Sequence, residues 1–383
     1  MMLISTLVGT GLTGCLSEEE KFIKEHIDFI VDVESGREPV VLQLTDTQII
    51  DPEQARTPER LSVREIAYWA KDRIDECCYD DIAETIENTK PDLILLTGDN
   101  VYGEFDDEGT SFTSLVEYMD SFKIPWAPVF GNHDNECALG ADWQCEQFED
   151  AKYCLFKQRE LTGNGNYTVG IRQDDEIKRV FFMLDSNGAT NGSAETFANK
   201  HSRPYSGFGQ DQIEWYTETG KTIKEQFPDV KYTFAFHIPL LIFEETYQKY
   251  NLTSYEITDK VINIDELEEK EETDFGCIGA SVEGSWDSEY LVWDGIKALG
   301  VDSVLVGHEH RNSASIMYDG VRLQFGQKTG AYDCVNYQKA DGSIYSAYCG
   351  QDTPMSGGTV MKLSPKDGSI VDSYIYLCRG LQK

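Results

Sequence analysis

Leu93-Ile94-Leu95-Leu96-Thr97-Gly98-Asp99-Asn100 decides how this chain is built, because an apolar run breaks off into a glycine and a carboxylate. A run that short, apolar at every position, reads as a strand buried on both faces, since a buried helix needs about ten residues or more. The same pattern recurs. Runs at 40–44, 126–130, 180–184, 232–236 and 303–306 are followed by Asp46, Gly131-Asn132-His133-Asp134, Asp185, His237 and Gly307-His308-Glu309-His310. Polar chemistry therefore falls just beyond the ends of buried strands.

Between these runs lie amphipathic stretches. Residues 80–88, with Ile82 and Ile86 one turn apart, and 142–160, with Trp143, Phe148, Ala151 and Leu155, read as helices packed on a sheet. Alternating strand and helix gives α/β layers, in which ligands gather at the carboxyl ends of strands. Runs at 321–327, 359–363 and 370–377 read as later strands and suggest a second sheet closing a sandwich. With no repeat or proline-rich linker to divide it, one domain is expected over 37–383, after a leader and N-terminal segment at 1–36. Residues 49–78 read as an insertion. The acidic run 265–274 lacks an ordered calcium-ligand spacing and reads as solvated loop.

A pair of metal ions bridged by one carboxylate needs ligands from several strand ends at once, since one short loop cannot encircle both. Asp46-Thr47-Gln48, Gly98-Asp99-Asn100, Gly131-Asn132-His133-Asp134, His237 and Gly307-His308-Glu309-His310 supply such a set. Glycine ahead of Asp99, Asn132 and His308 allows close approach of backbone and ion. Asp46 and Gln48, two apart on an extended segment, can face one site, as can His308 and His310. Imidazole suits manganese, iron or zinc better than magnesium or calcium. Four of the six histidines lie in these motifs; His26 and His201 read as surface residues.

In order and approximate spacing these motifs resemble those of calcineurin-like metallophosphoesterases, and Gly163-Asn164-Gly165-Asn166-Tyr167 and Leu184-Asp185-Ser186 are similar to the purple-acid-phosphatase-like branch. The resemblance implies a four-layer αββα sandwich of two mixed β-sheets flanked by helices. It also implies a metal-dependent hydrolase of phosphate esters with two divalent or trivalent ions, iron, manganese or zinc. Asp99 would bridge the ions, Asp46 and His310 would hold the first, and Asn132, His237 and His308 the second. Water activated by the pair would attack phosphorus in line, while His133, oriented by Asp134, would assist the leaving group. Gln48 stands where the commonest first motif has histidine. Either its carbonyl ligates, or Tyr102 does, since Gly98-Asp99-Asn100-Val101-Tyr102 fits the Gly-Asp-x-x-Tyr motif of purple acid phosphatases; a packed aromatic is the equal alternative for Tyr102. The motifs do not choose among monoesterase, phosphodiesterase and nucleotide pyrophosphatase. Some relatives keep the sandwich as a non-catalytic scaffold, against which the retention of His133 speaks. Arg311 and Arg203 could reach a phosphate, although most arginines lie on the surface.

Lys plus Arg number 33 against 68 Asp plus Glu, a formal net charge of −35. That field repels polyanions, so nucleic acid is not an expected partner. A small phosphorylated substrate would need concentrated positive charge, which bound metal supplies. Residues 1–14 are small and apolar and run into Leu12-Thr13-Gly14-Cys15, which resembles a bacterial lipobox. Acylation of Cys15 would anchor the protein to a membrane outside the cytoplasm. The run is too short to span a bilayer, and it lacks the Lys or Arg with which a secretory signal normally opens. Ten cysteines favour an oxidising compartment. Cys145 and Cys154, nine apart on the expected helix, fall on opposite faces and are not expected to pair.

Overall fold

Leu93–Thr97 forms strand β3, buried at every position, in a computed structural model that describes residues 17–51, 53, 74–188, 207–250, 262–284, 289–330, 336–338, 344–346 and 356–378. It lies between parallel neighbours β2 (Val40–Leu44) and β4 (Trp126–Val129), and β15 (Gly357–Leu363) and β16 (Ile370–Leu377) add antiparallel beyond β2. A larger sheet of nine strands runs in the order β1 (Phe29–Asp32), β5 (Tyr167–Gln173), β6 (Glu176–Met183), β7 (Lys231–Ala235), β10 (Val301–Val306), β12 (Val321–Phe325), β11 (Asn312–Tyr318), β9 (Phe275–Ile278) and β8 (Ile262–Asn263). Its centre, from β6 to β12, is parallel and its flanks are antiparallel, except that β1 joins β5 in parallel. A short hairpin, β13 (Asn336–Gln338) with β14 (Ile344–Ser346), stands apart from both sheets.

Seven α-helices are described: α1 (Glu18–His26), α2 (Ile74–Thr89), α3 (Thr110–Ser121), α4 (Ala141–Asp150), α5 (Gln210–Gln226), α6 (Ile242–Gln248) and α7 (Glu289–Leu299). Successive side chains of a strand point to opposite faces, and β6 shows how the layers stack. Phe181 and Met183 join the apolar cluster of the smaller sheet, together with Ile82 of α2, Leu115 of α3 and Phe148 of α4. Val180 and Phe182 join the cluster that holds Tyr216 and Ile223 of α5 and Val292 and Ile296 of α7. The layers are therefore helix, five-stranded sheet, nine-stranded sheet, helix, the mixed αββα sandwich expected. Where the sheets meet near the strand ends the contact is polar: Gln43 of β2 donates to Thr97 Oγ1 at 2.9 Å and accepts from Gln324 of β12 at 3.0 Å.

Three expectations need correction. The folded body begins ahead of residue 37, because β1 pairs with β5 and Ile23 and Ile27 are buried in the outer core. The 142–160 stretch is helical only to Asp150. Ala151 turns extended, Asp120 accepts the backbone N–H of Tyr153 at 2.6 Å, and Leu155 donates to Trp126 O at 2.7 Å, so the chain leaves the helix to cover the edge of β4. Cys154 thus lies outside the helix; it and Cys145 are both free and buried. Finally, the closing runs divide between the sheets, β12 entering the larger and β15 and β16 the smaller, where β15 pairs with the edge of β2. In the acidic run, Asp274 is buried and accepts the N–H of Met317 at 2.7 Å, which makes it a loop anchor. Cys15, Arg203, His201 and most of 49–78 fall outside the described residues.

Candidate metal centre

The loops after β2, β3, β4, β7 and β10 converge at one end of the sandwich and are laced together by backbone hydrogen bonds. Asp46 N donates to Gly98 O at 3.1 Å, Gln48 N to Asp99 O at 2.9 Å, and Gly307 N to His237 O at 3.0 Å. The spacing is tight enough to require glycine. A Cβ on Gly131 would lie 2.2 Å from Asp99 N and Oδ1, and one on Gly307 2.1 Å from Thr45 Oγ1.

Two donor groups result, with all ligand atoms in each within 4.8 Å of one another: Asp99, His237 and His308 in one, Asp46, Asp99 and His310 in the other. Asp99 is common to both. His237 Nε2 lies 3.3 Å from Asp99 Oδ2 and 3.9 Å from Asp46 Oδ1, and His310 Nε2 lies 3.4 Å from Asp46 Oδ1. His237 donates Nδ1–H to Thr97 O at 2.8 Å, which leaves Nε2 as the nitrogen that faces the carboxylates and could ligate a metal. The His308 backbone N–H and Thr45 Oγ1 donate to the Asp46 carboxylate and fix its orientation. The two pairs read as sharing an extended segment do not: Asp46, Gln48 and His308 have positive φ of 53°, 44° and 77°, and the turns rather than strand pleat aim the side chains. His308 and His310 accordingly go to different groups.

Among the described residues, three buried polar side-chain atoms here make no hydrogen bond of good geometry: Gln48 Oε1, Asn132 Oδ1 and His237 Nε2, the last meeting only the ion-pair contacts to Asp99 and Asp46. Buried polar atoms are nearly always satisfied, and these three are the atoms through which glutamine, asparagine and histidine hold metal. The donor set of carboxylates, imidazoles and amide oxygens fits a first-row transition metal.

The charges are strongly coupled. Burial alone would raise the Asp99 carboxyl, but the neighbouring His237 and His133 outweigh it and hold it well below the usual carboxylate range. Burial would lower His237, yet Asp99 and Asp46 lift it to about 9. His308, lowered by burial and by His237, drops to about 3.

Asp134 does not occupy the place expected of it. Its carboxylate accepts Gly131 N–H at 2.7 Å, Val101 N–H at 3.0 Å and the Asn100 amide at 3.1 Å, so it braces the loop; burial and the Asp99 charge push it up to about 7. The carboxylate that meets the His133 ring is Glu136, with Oε2 2.8 Å from Nδ1. Tyr102 stacks its ring on His133, centroids 4.1 Å apart. Arg311 is buried rather than on the surface. Sequence reasoning missed Glu136 and Lys328, a buried lysine whose ammonium donates to the Asp46 carbonyl. A carboxylate three residues after His133 was the available signal for the first; none marked the second.

A family model described as calcineurin-like phosphoesterase matches residues 39–312. The chain is 27% identical to "Phosphatase DCR2" of Saccharomyces cerevisiae over 248 residues, 62% of this chain and 39% of that protein. It is 24% identical to "Probable inactive purple acid phosphatase 29" of Arabidopsis thaliana over 281 residues, 68% of this chain and 64% of that one. The chain thus spans less than two thirds of the length of either relative. A dimetal phosphatase from Danio rerio of known structure aligns with a TM-score of 0.43 at 11% identity, covering 76% of this chain and 88% of that one.

Proposed function

The chain belongs to the calcineurin-like phosphoesterase family, and from that premise we propose that it is a metal-dependent hydrolase of phosphate esters, with two metal ions held by Asp46, Gln48, Asp99, Asn132, His237, His308 and His310. The observation that carries this reading is the sharing of Asp99 between two donor groups. Iron, manganese or zinc, when bound, would supply the Lewis acidity that activates water and neutralises phosphoryl charge.

The chain's own residues supply placement. The His237 bond to Thr97 O keeps Nε2 aimed at the centre. Asp99 accepts the His133 N–H at 2.9 Å, which ties the position of His133 to the bridging carboxylate. Gln48 Oε1, buried without a hydrogen bond while its amide nitrogen meets Asp99, is the better candidate than Tyr102 to complete the first site. His133 would protonate the departing oxygen, a role worth about 10²–10⁴ in rate. The disulfide-bonded Cys277 supports an oxidising, extracytoplasmic location, with Cys15 as the lipid-bearing residue.

The rival is a non-catalytic scaffold, which the word inactive in the name of the Arabidopsis relative favours. A scaffold does not require the buried Gln48 Oε1 and Asn132 Oδ1 to be held without a hydrogen bond. Protein loaded with manganese or iron should hydrolyse at least one of an aryl monoester, an aryl diester and a nucleotide panel. A chelator should abolish this, and His133→Ala should slow it about 10²-fold or more with metal content intact. Flat progress curves for every substrate would leave the scaffold.

A further inference from the structure

We propose that Glu136 positions His133 for leaving-group protonation: its carboxylate accepts the Nδ1–H, fixes the tautomer and presents Nε2 to the departing oxygen. This rests on the hydrolase reading above. Glu136 Oε2 is 2.8 Å from His133 Nδ1, and the two side chains are 21% and 15% exposed, so the bond is partly withdrawn from water and strengthened by it.

The ring is also held against rotation. Tyr102 lies against its face, 24° from parallel, so Glu136 constrains the ring edge and Tyr102 its plane. Both constraints come from loops that interlock. Gly103, next to Tyr102, donates its N–H to His133 O at 3.0 Å, and Glu136 N donates to the same oxygen at 3.2 Å. A Cβ on Gly103 would stand 2.4 Å from Cys137 N and 2.5 Å from His133 O, so the two turns cannot close this far with any larger residue. Asp134, the neighbour with a stronger prior claim, has its oxygens taken by Gly131, Val101 and Asn100.

In the step served, the ring starts as the imidazolium; the oxygen of water forms a bond to phosphorus as the P–O bond to the leaving group breaks, that bond's electron pair stays on the departing oxygen, and the proton on Nε2 transfers to it. The ring is left neutral with Nδ1–H on Glu136. Such a role matters most for poor leaving groups, since a nitrophenolate departs without protonation and an alkoxide does not.

The test compares Glu136→Ala, Glu136→Gln, His133→Ala and the His133→Ala/Glu136→Ala double variant on an alkyl and a p-nitrophenyl phosphate ester. Glu136→Ala should lower kcat on the alkyl ester by roughly 10-fold to 100-fold, the size typical of outer partners that orient a histidine. The p-nitrophenyl ester should be affected much less, with KM and metal content unchanged. Glu136→Gln retains an acceptor oxygen and should recover most of the loss, and the double variant should be no slower than His133→Ala. In chelator-treated protein, ¹⁵N spectra should show His133 as the Nδ1–H tautomer, with a mixture in Glu136→Ala. Equal slowing of both esters, further slowing of His133→Ala, or an Nε2–H tautomer in the unaltered protein would overturn the proposal. Should the unaltered protein hydrolyse no ester, the hydrolase reading fails, while the spectra still decide the placement of His133.

Discussion

Asp46, Gln48, Asp99 and His308 all take left-handed backbone conformations, φ 53°, 44°, 50° and 77°, although none is glycine. Each such residue stores strain of roughly 1 kcal/mol or more and persists only where its surroundings over-determine it. Asp185, beyond β6, shows the same tolerance for unfavourable placement in its charge. Burial pushes its carboxyl up to about 6, against the N–H groups of Asn164 and Asn187 that it accepts. Because the folded pKa lies above the unfolded value near ~3.9, its contribution to stability is complete below about pH 4 and is lost as pH rises through about 6. Asp185→Asn should therefore gain on the unaltered protein by up to about 3 kcal/mol between pH 4 and 7, measured by urea unfolding in chelator. A difference constant with pH would show that Asp185 is not held protonated. The ligand residues were legible because each follows a buried strand and three follow glycine. Glu136 and Lys328 were not, since their roles arise from turn geometry and from a contact spanning 282 residues between Lys328 and Asp46.

At the level of elements, the site is made by turns closing against one another, and Gly131 is where the closure bears directly on the shared carboxylate. Its hypothetical Cβ meets both backbone and carboxylate of Asp99, so neither rotamer change nor a small local shift relieves it. Gly131→Ala should leave β3 and β4 paired but displace Asp99, lowering metal content below half of normal by mass spectrometry while circular dichroism stays unchanged. Full metal occupancy in that variant would mean that the loop has slack the close contacts deny. Strands read well from the sequence, because short runs bounded by glycine and carboxylate leave little ambiguity; 40–44 and 370–377 match β2 and β16 to the residue. Helix ends read poorly. Apolar spacing continues through Leu155, but the demand of the β4 edge for a partner ends the helix at Asp150, and that demand is a tertiary fact.

For the whole molecule, the problem is to place acidic ligands in a chain of net charge −35. The sandwich does it by bringing strand ends of two sheets together, so that carboxylates from the smaller sheet face imidazoles from the larger. Asp46, Asp99 and Asn132 follow β2, β3 and β4, while His237, His308 and His310 follow β7 and β10. The layered class was visible in alternating strands and helices; which sheet each closing strand joins was not, because pairing partners lie hundreds of residues apart, as β15 with β2. If the meeting of the sheets builds a centre for two ions around one shared carboxylate, metal analysis of purified protein is the direct measurement. The unaltered chain should bind two equivalents of iron, manganese or zinc, and Asp99→Ala should lose both together. A single equivalent in the unaltered chain, or two retained without the Asp99 carboxylate, would contradict a shared centre.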